Sequence, residues 1–278
     1  MIRAFAPAKI NLTLHITGQR DDGYHLLDSL VVFAGIGDDL QIEAARDLTL
    51  EVSGPHGQGV PTDDSNLILR AARYLHPSKG AKLRLEKNLP VASGIGGGSS
   101  DAAAALRGLS ELWGDPLPQD VAPLGADVPV CLRAKPTRMS GIGERLEDLP
   151  VIPQCWLLLV NPRVAVPTPQ VFAQIPSRQN PPMPDVIPAF DDIAHFAHWL
   201  GRMRNDMESA AIGIAPEIAT VLAEIKAQPG CLLGRMSGSG ATCWGMFGSW
   251  AKAQNAAESV AARHPDWWVQ PAEITPLS

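Results

Sequence analysis

A chain of 278 residues is longer than a typical domain and shorter than two large ones, so one compact unit or two modest lobes fit it, with room for a sizeable core either way. A formal net charge of -6 argues against a surface built mainly to hold nucleic acid or anionic membrane, so any anionic ligand must meet local positive charge. The opening MIRAFAPAKINL lacks the charged and apolar regions of a secretory signal, and no apolar run approaches the length of a membrane span. The expectation is a soluble, cytoplasmic protein.

In chain order, residues 8–16 alternate, with Ile10, Leu12, Leu14 and Ile16 on one face and Lys9, Asn11, Thr13 and His15 on the other, which predicts a strand. The polar run TGQRDDG at 17–23 predicts a turn, SLVVFAG at 29–35 a second strand and LTLEVSG at 48–54 a third. PHGQGVPTDD at 55–64 reads as a loop, and SNLILRAARYL at 65–75 predicts a helix capped by Ser65. KLRLEKNLP then predicts a short strand that enters a glycine run. The spacing of Leu106, Leu109 and Leu112 behind four alanines predicts a helix over 100–113, stopped by GDPLP. WLLLV at 156–160 fits a buried strand, and a lobe boundary is placed near Pro150, giving lobes 1–150 and 151–278. PSRQNPPMPDVIP at 176–188 is a loop or connector. Helices are predicted over 193–203, 214–227 and 251–263, with a strand and glycine turn within 232–247. Cys131, Cys155, Cys231 and Cys243 form no CxxC pair and read as reduced, packed thiols.

The glycine run LPVASGIGGGSSDAAAAL, residues 89–106, carries glycine at 94, 96, 97 and 98. It is not a Walker A loop, because no lysine follows the glycines, and Ser99 stands where a dinucleotide fingerprint needs its third glycine. The HRD and DFG elements of a protein kinase are missing from the sequence. Two readings fit: a bare backbone against a helix start that cradles phosphate, or a plain turn capping the helix through Ser99 or Ser100. Each glycine costs about 1 kcal/mol relative to alanine in regular structure, which favours the cradle. Asp101 falls in the first helical turn, where the helix dipole favours a carboxylate, and it is expected to point away from an anionic ligand. MSGSGAT at 236–242 is either a hairpin turn or a second tight turn near the same site.

Lys9 and Asn11 emerge side by side from one strand face, which fits a solvated sheet face or a pair of functional groups. Tyr24 and His25 follow the turn that leaves this strand and are able to return toward Lys9, and a tyrosine face stacks on a nucleobase. Asp127, in GADVPVCL at 125–132, is a turn or cap residue unless Lys9 approaches it, in which case it becomes an acceptor for a substrate hydroxyl proton. His195 and His198 have HxxH spacing, but no carboxylate or cysteine is arranged to complete a metal shell.

PAKINLTLHITGQRDDGYHLLDSL, PVASGIGGGSSDAAAAL, GADVPVCL, VPTPQVF at 166–172, NDME at 205–208 and MSGSGAT follow one another in an order and spacing that resemble the GHMP small-molecule kinases. Within that family the first block is similar to the branch that acts on a cytidine diphosphate derivative of methylerythritol. The departures are mild: Ile95, Val130 and Met207 stand where leucine and two phenylalanines are usual, and none removes a polar group.

The resemblance implies a two-lobe α+β fold, with an amino-terminal lobe like the second domain of ribosomal protein S5, a ferredoxin-like carboxy-terminal lobe and the active site between them. It implies transfer of the γ-phosphoryl group of ATP to a 2-hydroxyl, with Asp127 accepting the hydroxyl proton and Lys9 holding Asp127 and the developing charge. Pro90, Val91, Ala92, Ser93, Gly94, Ile95, Gly96, Gly97, Gly98, Ser99 and Ser100 would wrap the ATP phosphates. Asn11 and His25 would bind the acceptor, and Tyr24 and Phe172 would sandwich its cytosine with Thr168 nearby. Mg²⁺ would be bound mainly through the ATP phosphates, with no protein ligand assigned. The implied partners are a small-molecule substrate, no nucleic acid and no membrane, in a monomer or weak homodimer. The alternatives are another kinase of the family, of the mevalonate or homoserine type, and a non-catalytic nucleotide-binding protein on the same fold.

Overall fold

The computed structural model describes residues 1–274. The chain begins with strands β1 (Ile2–Asn11), β2 (His15–Gln19), β3 (His25–Ala44) and β4 (Thr49–Ser53), then helix α1 (Leu67–Leu75), strand β5 (Ala81–Glu86), and helices α2 (Gly97–Trp113) and α3 (Val128–Arg133). Strands β6 (Thr137–Gly141), β7 (Arg145–Asp148) and β8 (Trp156–Asn161) precede helices α4 (Thr168–Gln174), α5 (Ile193–Gly201), α6 (Glu208–Ile214) and α7 (Glu217–Lys226). Strands β9 (Cys231–Met236) and β10 (Cys243–Phe247), helix α8 (Trp250–Arg263) and strand β11 (Trp268–Glu273) complete it.

These elements form two compact units, and neither is continuous in sequence. The first comprises Met1–Lys9, Ile36–Val91 and Gly96–Ala134, and the second Ile10–Gly35, Ala92–Ile95 and the chain from Lys135 onward. The long strand β3 gives its amino-terminal half to one and its carboxy-terminal half to the other.

In the first unit, β5 runs antiparallel to the end of β3, with Asp39 opposite Glu86 and Ala44 opposite Ala81, and β4 lies parallel to β5. Alternation drives this: Leu40 and Ile42 of β3, Leu83 and Leu85 of β5 and Leu50 of β4 turn to one face, and Ile68, Leu69 and Ala72 of α1 and Ala105 and Leu109 of α2 pack on it. The cap of α1 is Asn66, whose Oδ1 accepts from the Ile68 N–H at 2.9 Å, rather than the expected Ser65, whose hydroxyl bonds Asp63. Either side chain suits that role, and the one whose oxygen reaches the second helical N–H takes it.

In the second unit, β8, β9, β10 and β11 form an antiparallel sheet in the order β11-β8-β10-β9. A helical crossover after β8, the β9–β10 hairpin, helix α8 and β11 give the β-α-β-β-α-β succession of a ferredoxin-like unit. Its core runs from Leu158 and Val160 of β8 through Ile218, Val221 and Ile225 of α7 to Ala253 and Val260 of α8. The helix expected over 214–227 is α7, which starts at Glu217 behind Pro216, and the short α6 before it has no counterpart in the sequence reading. The proline-rich stretch 176–188 is tied to β2 and β3: the Asn180 N–H donates to the Ile16 carbonyl, and the Met183 N–H donates at 2.8 Å to the Asp28 carboxylate, which Arg138 also holds.

The strand expected over 8–16 is divided. β1 ends at Asn11 and β2 begins at His15, and the polar face is as buried as the apolar one, with Lys9 4%, Asn11 1% and His15 1% exposed. Alternation reports which residues share a face, and here both faces are covered by other elements, so a solvated polar face is ruled out.

Candidate active site

Helix α2 begins three residues earlier than the sequence spacing suggests, at Gly97, with Gly96 as its N-cap. Gly96 adopts φ 67°, and a Cβ there would lie 3.0 Å from the Lys9 Cβ, so both its conformation and its surroundings demand glycine. No side chain caps this helix. The first helical N–H groups, which have no intrahelical acceptor, therefore meet no capping oxygen, and the alternative reading of a plain turn capped through Ser99 or Ser100 does not hold. The Ser100 hydroxyl instead donates to the Pro7 carbonyl at 2.6 Å, fastening α2 to β1. A Cβ at Gly98 would meet nothing within 4 Å, so this turn is bare as well as positively polarised. That donor set, N–H groups without competing side chains, fits the phosphates of a nucleotide.

Beside this turn, Lys9 Nζ lies 3.0 Å from Asp127 Oδ2. Asp127 occupies the N-cap position of α3, yet its side chain caps nothing and turns to the lysine. The lysine side chain is 5% exposed and that of Asp127 35%, so the ammonium is enclosed while the carboxylate keeps access to a ligand. Cys131, one helical turn along α3, has its thiol pushed up to about 12, by burial first and by the Asp127 charge second, so it is a packing thiol.

Asp101 differs from expectation. It is buried, and its Oδ2 accepts from Lys87 Nζ at 2.7 Å. Asp38 of β3 binds the same ammonium through Oδ2 and accepts the Asn88 and Leu89 N–H groups through Oδ1 at 2.6 and 2.8 Å. Burial first, opposed by Lys87 and reinforced by Asp38, pushes the Asp101 carboxyl up to about 7. Because α2 starts at Gly97, Asp101 lies beyond the first helical turn and faces Lys87 instead of the place beside the helix dipole expected of it. Lys87, just past the end of β5, and Asp38, inside β3, belong to no recognisable motif; the antiparallel register that sets Asp39 opposite Glu86 brings them together.

In the second unit, the Asn11 side chain donates to Ser29 Oγ at 2.8 Å, and its backbone N–H donates to Ser237 Oγ at 3.0 Å. Ser237 opens the β9–β10 connection, which is both a hairpin turn and a packing partner of the glycine run. The Ser237 hydroxyl donates to the Gly94 carbonyl at 3.0 Å and the Thr242 N–H donates to the Ser93 carbonyl at 3.1 Å. Asn205, in the NDME stretch, spans the turn by donating to the Met236 and Gly238 carbonyls, each at 2.9 Å.

The His25 ring stacks on Phe172 with centroids 4.2 Å apart and planes 15° apart. One face of Phe172 is thus covered by His25, and Tyr24 is 57% exposed. His25 Nε2 is buried and has no hydrogen-bond partner among the described residues. An orphaned buried ring nitrogen is costly unless a ligand satisfies it. Burial first, then the Arg178 charge, lowers the imidazole below its ordinary range, leaving it neutral. Thr168, at the start of α4, shares a 2.7 Å hydrogen bond with Ser239 Oγ.

A chain with an uncapped glycine helix start, an enclosed lysine on a half-exposed aspartate and a ferredoxin-like second unit matches the GHMP kinase class. The model of the GHMP kinases N terminal domain matches residues 66–137 and that of the GHMP kinases C terminal domain matches 186–266. A 4-diphosphocytidyl-2-C-methyl-D-erythritol kinase of Cereibacter sphaeroides is 57% identical over 277 residues, 99% of each chain. One of Dinoroseobacter shibae is 59% identical over 98% of this chain and 95% of its own. A crystal structure of 4-(cytidine 5'-diphospho)-2C-methyl-D-erythritol kinase superposes with a TM-score of 0.78 at 31% identity, covering 99% of this chain and 100% of that one. The chain belongs to the GHMP kinases and, within them, to the 4-diphosphocytidyl-2-C-methyl-D-erythritol kinase family.

Proposed function

We propose that this protein transfers the γ-phosphoryl group of ATP to the 2-hydroxyl of 4-diphosphocytidyl-2-C-methyl-D-erythritol, giving the 2-phosphate and ADP in the non-mevalonate route to isopentenyl diphosphate. The observation that carries the reading is the 3.0 Å pair of Lys9 and Asp127 set against the bare start of α2. Phosphoryl transfer asks a protein for alignment and charge stabilisation more than for covalent help. The first-turn N–H groups of Gly97, Gly98 and Ser99 would hold the polyphosphate, with residues 90–96 wrapping it. Mg²⁺, bound mainly through those phosphates, would supply the remaining neutralisation.

Asp127 would accept the proton of the attacking hydroxyl, because its carboxylate is the exposed member of the pair. Lys9 would keep that carboxylate oriented and balance charge as it develops. Asn11 would position the acceptor, and the orphaned His25 Nε2 would take a hydrogen bond with the cytosine edge. Tyr24 and Phe172 would enclose the base after the His25 ring moves off Phe172, with Thr168 alongside. The family matches on either side of residue 150 fit a division of the sequence at 1–150 and 151–278, while by packing residues 10–35, 92–95 and 135–150 belong to the second unit. The working state is a monomer or weak homodimer in the cytoplasm; among the described residues no helix is long and apolar enough to cross a membrane.

The test is ATP-dependent ADP release measured in parallel with the cytidyl substrate, mevalonate and homoserine. Turnover confined to the cytidyl substrate is expected. Turnover confined to mevalonate or homoserine, or none with any of the three, would overturn the proposal.

A further inference from the structure

Lys87, Asp38 and Asp101 form a buried cluster directly behind the first turn of α2, with 3%, 0% and 3% exposure. A Cβ on Gly97 would lie 3.0 Å from Lys87 Nζ and 3.9 Å from Asp38 Oδ2, so the cluster backs the turn that is assigned to the nucleotide phosphates. We infer that Asp101 is a proton-linked positioning residue of this turn: occupation of the turn by a nucleotide polyphosphate is coupled to uptake of one proton by the Asp101 carboxyl. The inference rests on the reading of the glycine turn as the ATP site and adds to it a coupling that the site residues themselves do not contain.

Three features of the cluster lead to this. Its charges do not balance when both carboxyls are ionised, because two carboxylates share one ammonium and leave a net negative charge buried behind a site for anions. The proton has one place to go. Asp38 is bonded at both oxygens, to Lys87 and to two backbone N–H groups, whereas Asp101 Oδ1 is buried with no hydrogen-bond partner among the described residues. The charges that bear most on Asp101 lie within the cluster: Lys87 opposes its protonation and Asp38 favours it, while Lys9 of β1, Arg70 and Arg73 of α1 and Arg133 of α3 stand on neighbouring elements. Burial, with Asp38 adding to it, already holds the carboxyl at about 7, so its occupancy changes in the physiological range.

The direction follows from electrostatics. A polyphosphate on the turn raises the cost of an ionised Asp101, so binding draws a proton from solvent onto Asp101 Oδ1. Reciprocally, nucleotide affinity weakens as pH rises through the range in which free Asp101 loses that proton. The neutral carboxyl leaves Lys87 balanced against Asp38, with the ammonium propping Gly97.

The experiment is calorimetry of MgADP binding from pH 6.5 to 8.5, in buffers of different ionisation enthalpy, to wild type and Asp101→Asn, without acceptor substrate. Wild type should take up a fraction of a proton per nucleotide near pH 7.5, and its Kd should weaken by about tenfold across the range, within the usual span of site-to-site coupling. Asp101→Asn, which fixes a neutral side chain of the same shape, should bind with a Kd that changes less than about twofold and with the extra uptake gone; proton exchange by the nucleotide itself is common to both proteins. Wild-type binding without uptake beyond that of the variant would overturn the coupling while leaving the nucleotide site standing. No MgADP binding by wild type would overturn the site reading and the coupling with it. Should the variant not fold, the wild-type uptake measured against the buffer series still decides, since uptake that matches free MgADP alone refutes the linkage.

Discussion

Replacing Asp127 with asparagine removes the proposed base while keeping its volume and an oxygen for Lys9. A general base contributes about 10² to 10⁴ in rate, or roughly 2.7 to 5.4 kcal/mol at 1.36 kcal/mol per decade, and kcat should fall by that much. The Lys9–Asp127 separation of 3.0 Å corresponds to a gross attraction of about 5.5 kcal/mol at an effective dielectric near 20. The 35% exposure of the Asp127 side chain and the desolvation of Lys9 reduce this, so a net coupling of about 1 to 3 kcal/mol is expected. Lys9→Met, Asp127→Asn and the double variant therefore form a cycle in which the two single losses overlap. Steady-state kinetics with saturating ATP and a titrated acceptor give kcat and KM for each, and thermal melts confirm that each protein is folded. The KM values for ATP should stay within about threefold of wild type, because neither side chain belongs to the glycine turn. Losses in kcat that add to within about 0.5 kcal/mol would refute the argument that the pair acts as one unit. Near-normal turnover by Asp127→Asn would remove it from the chemistry.

The two ends of the glycine run should respond differently to alanine. At Gly98 a Cβ meets open space, so Gly98→Ala should fold as well as wild type while raising the KM for ATP several-fold; at Gly94, with φ 76° and a Cβ 2.5 Å from the Ser237 carbonyl oxygen, alanine should cost about 2 kcal/mol or more in a denaturant melt. Equal effects on stability at the two positions would contradict the geometry. His25→Ala should raise the KM for the cytidyl substrate by about tenfold, or 1.4 kcal/mol, with the KM for ATP within about twofold. Because His25 is held neutral by burial and by Arg178, the wild-type acceptor KM should be flat above the ordinary imidazole range and rise only as pH falls below it, and a KM that improves on acidification would reverse the assigned role. Arg235 donates to the carbonyls of Leu12, Leu200 and Met203 and is lowered to about 10 by burial, so Arg235→Lys, unable to reach all three, should lose about 2 to 4 kcal/mol in urea unfolding; a loss below about 0.5 kcal/mol would show these bonds to be dispensable.

Much of the architecture was legible because it rests on local pattern. The apolar runs at 156–160 and around the 236–242 turn, and the alanine-rich helix behind the glycines, each became the element their spacing predicts. What was misplaced lies where backbone conformation overrides side-chain signals. α2 starts at Gly97 because Gly96 takes a left-handed conformation and needs no capping hydroxyl, so Ser99 and Ser100, the residues that look like caps, are already inside the helix. The short helix α4, which carries Thr168 and Phe172, has no counterpart among the predicted elements, because two prolines in VPTPQVF mask its helical spacing.

The sequence by itself determined which groups are available: a lysine and an asparagine two residues apart, a glycine run without a Walker lysine, a tyrosine and histidine after a turn, and the order of motifs that marks the family. Tertiary structure decided their company, because strand pairing and helix packing join residues far apart in the chain. The 118-residue separation of Lys9 and Asp127 closes to a 3.0 Å ion pair. The same folding buries Asp101, which local sequence reads as a partner of the helix dipole, against Lys87 and Asp38. Charge and spacing along the chain carry no information about desolvation, and desolvation turns that carboxylate from a dipole partner into a site for a proton.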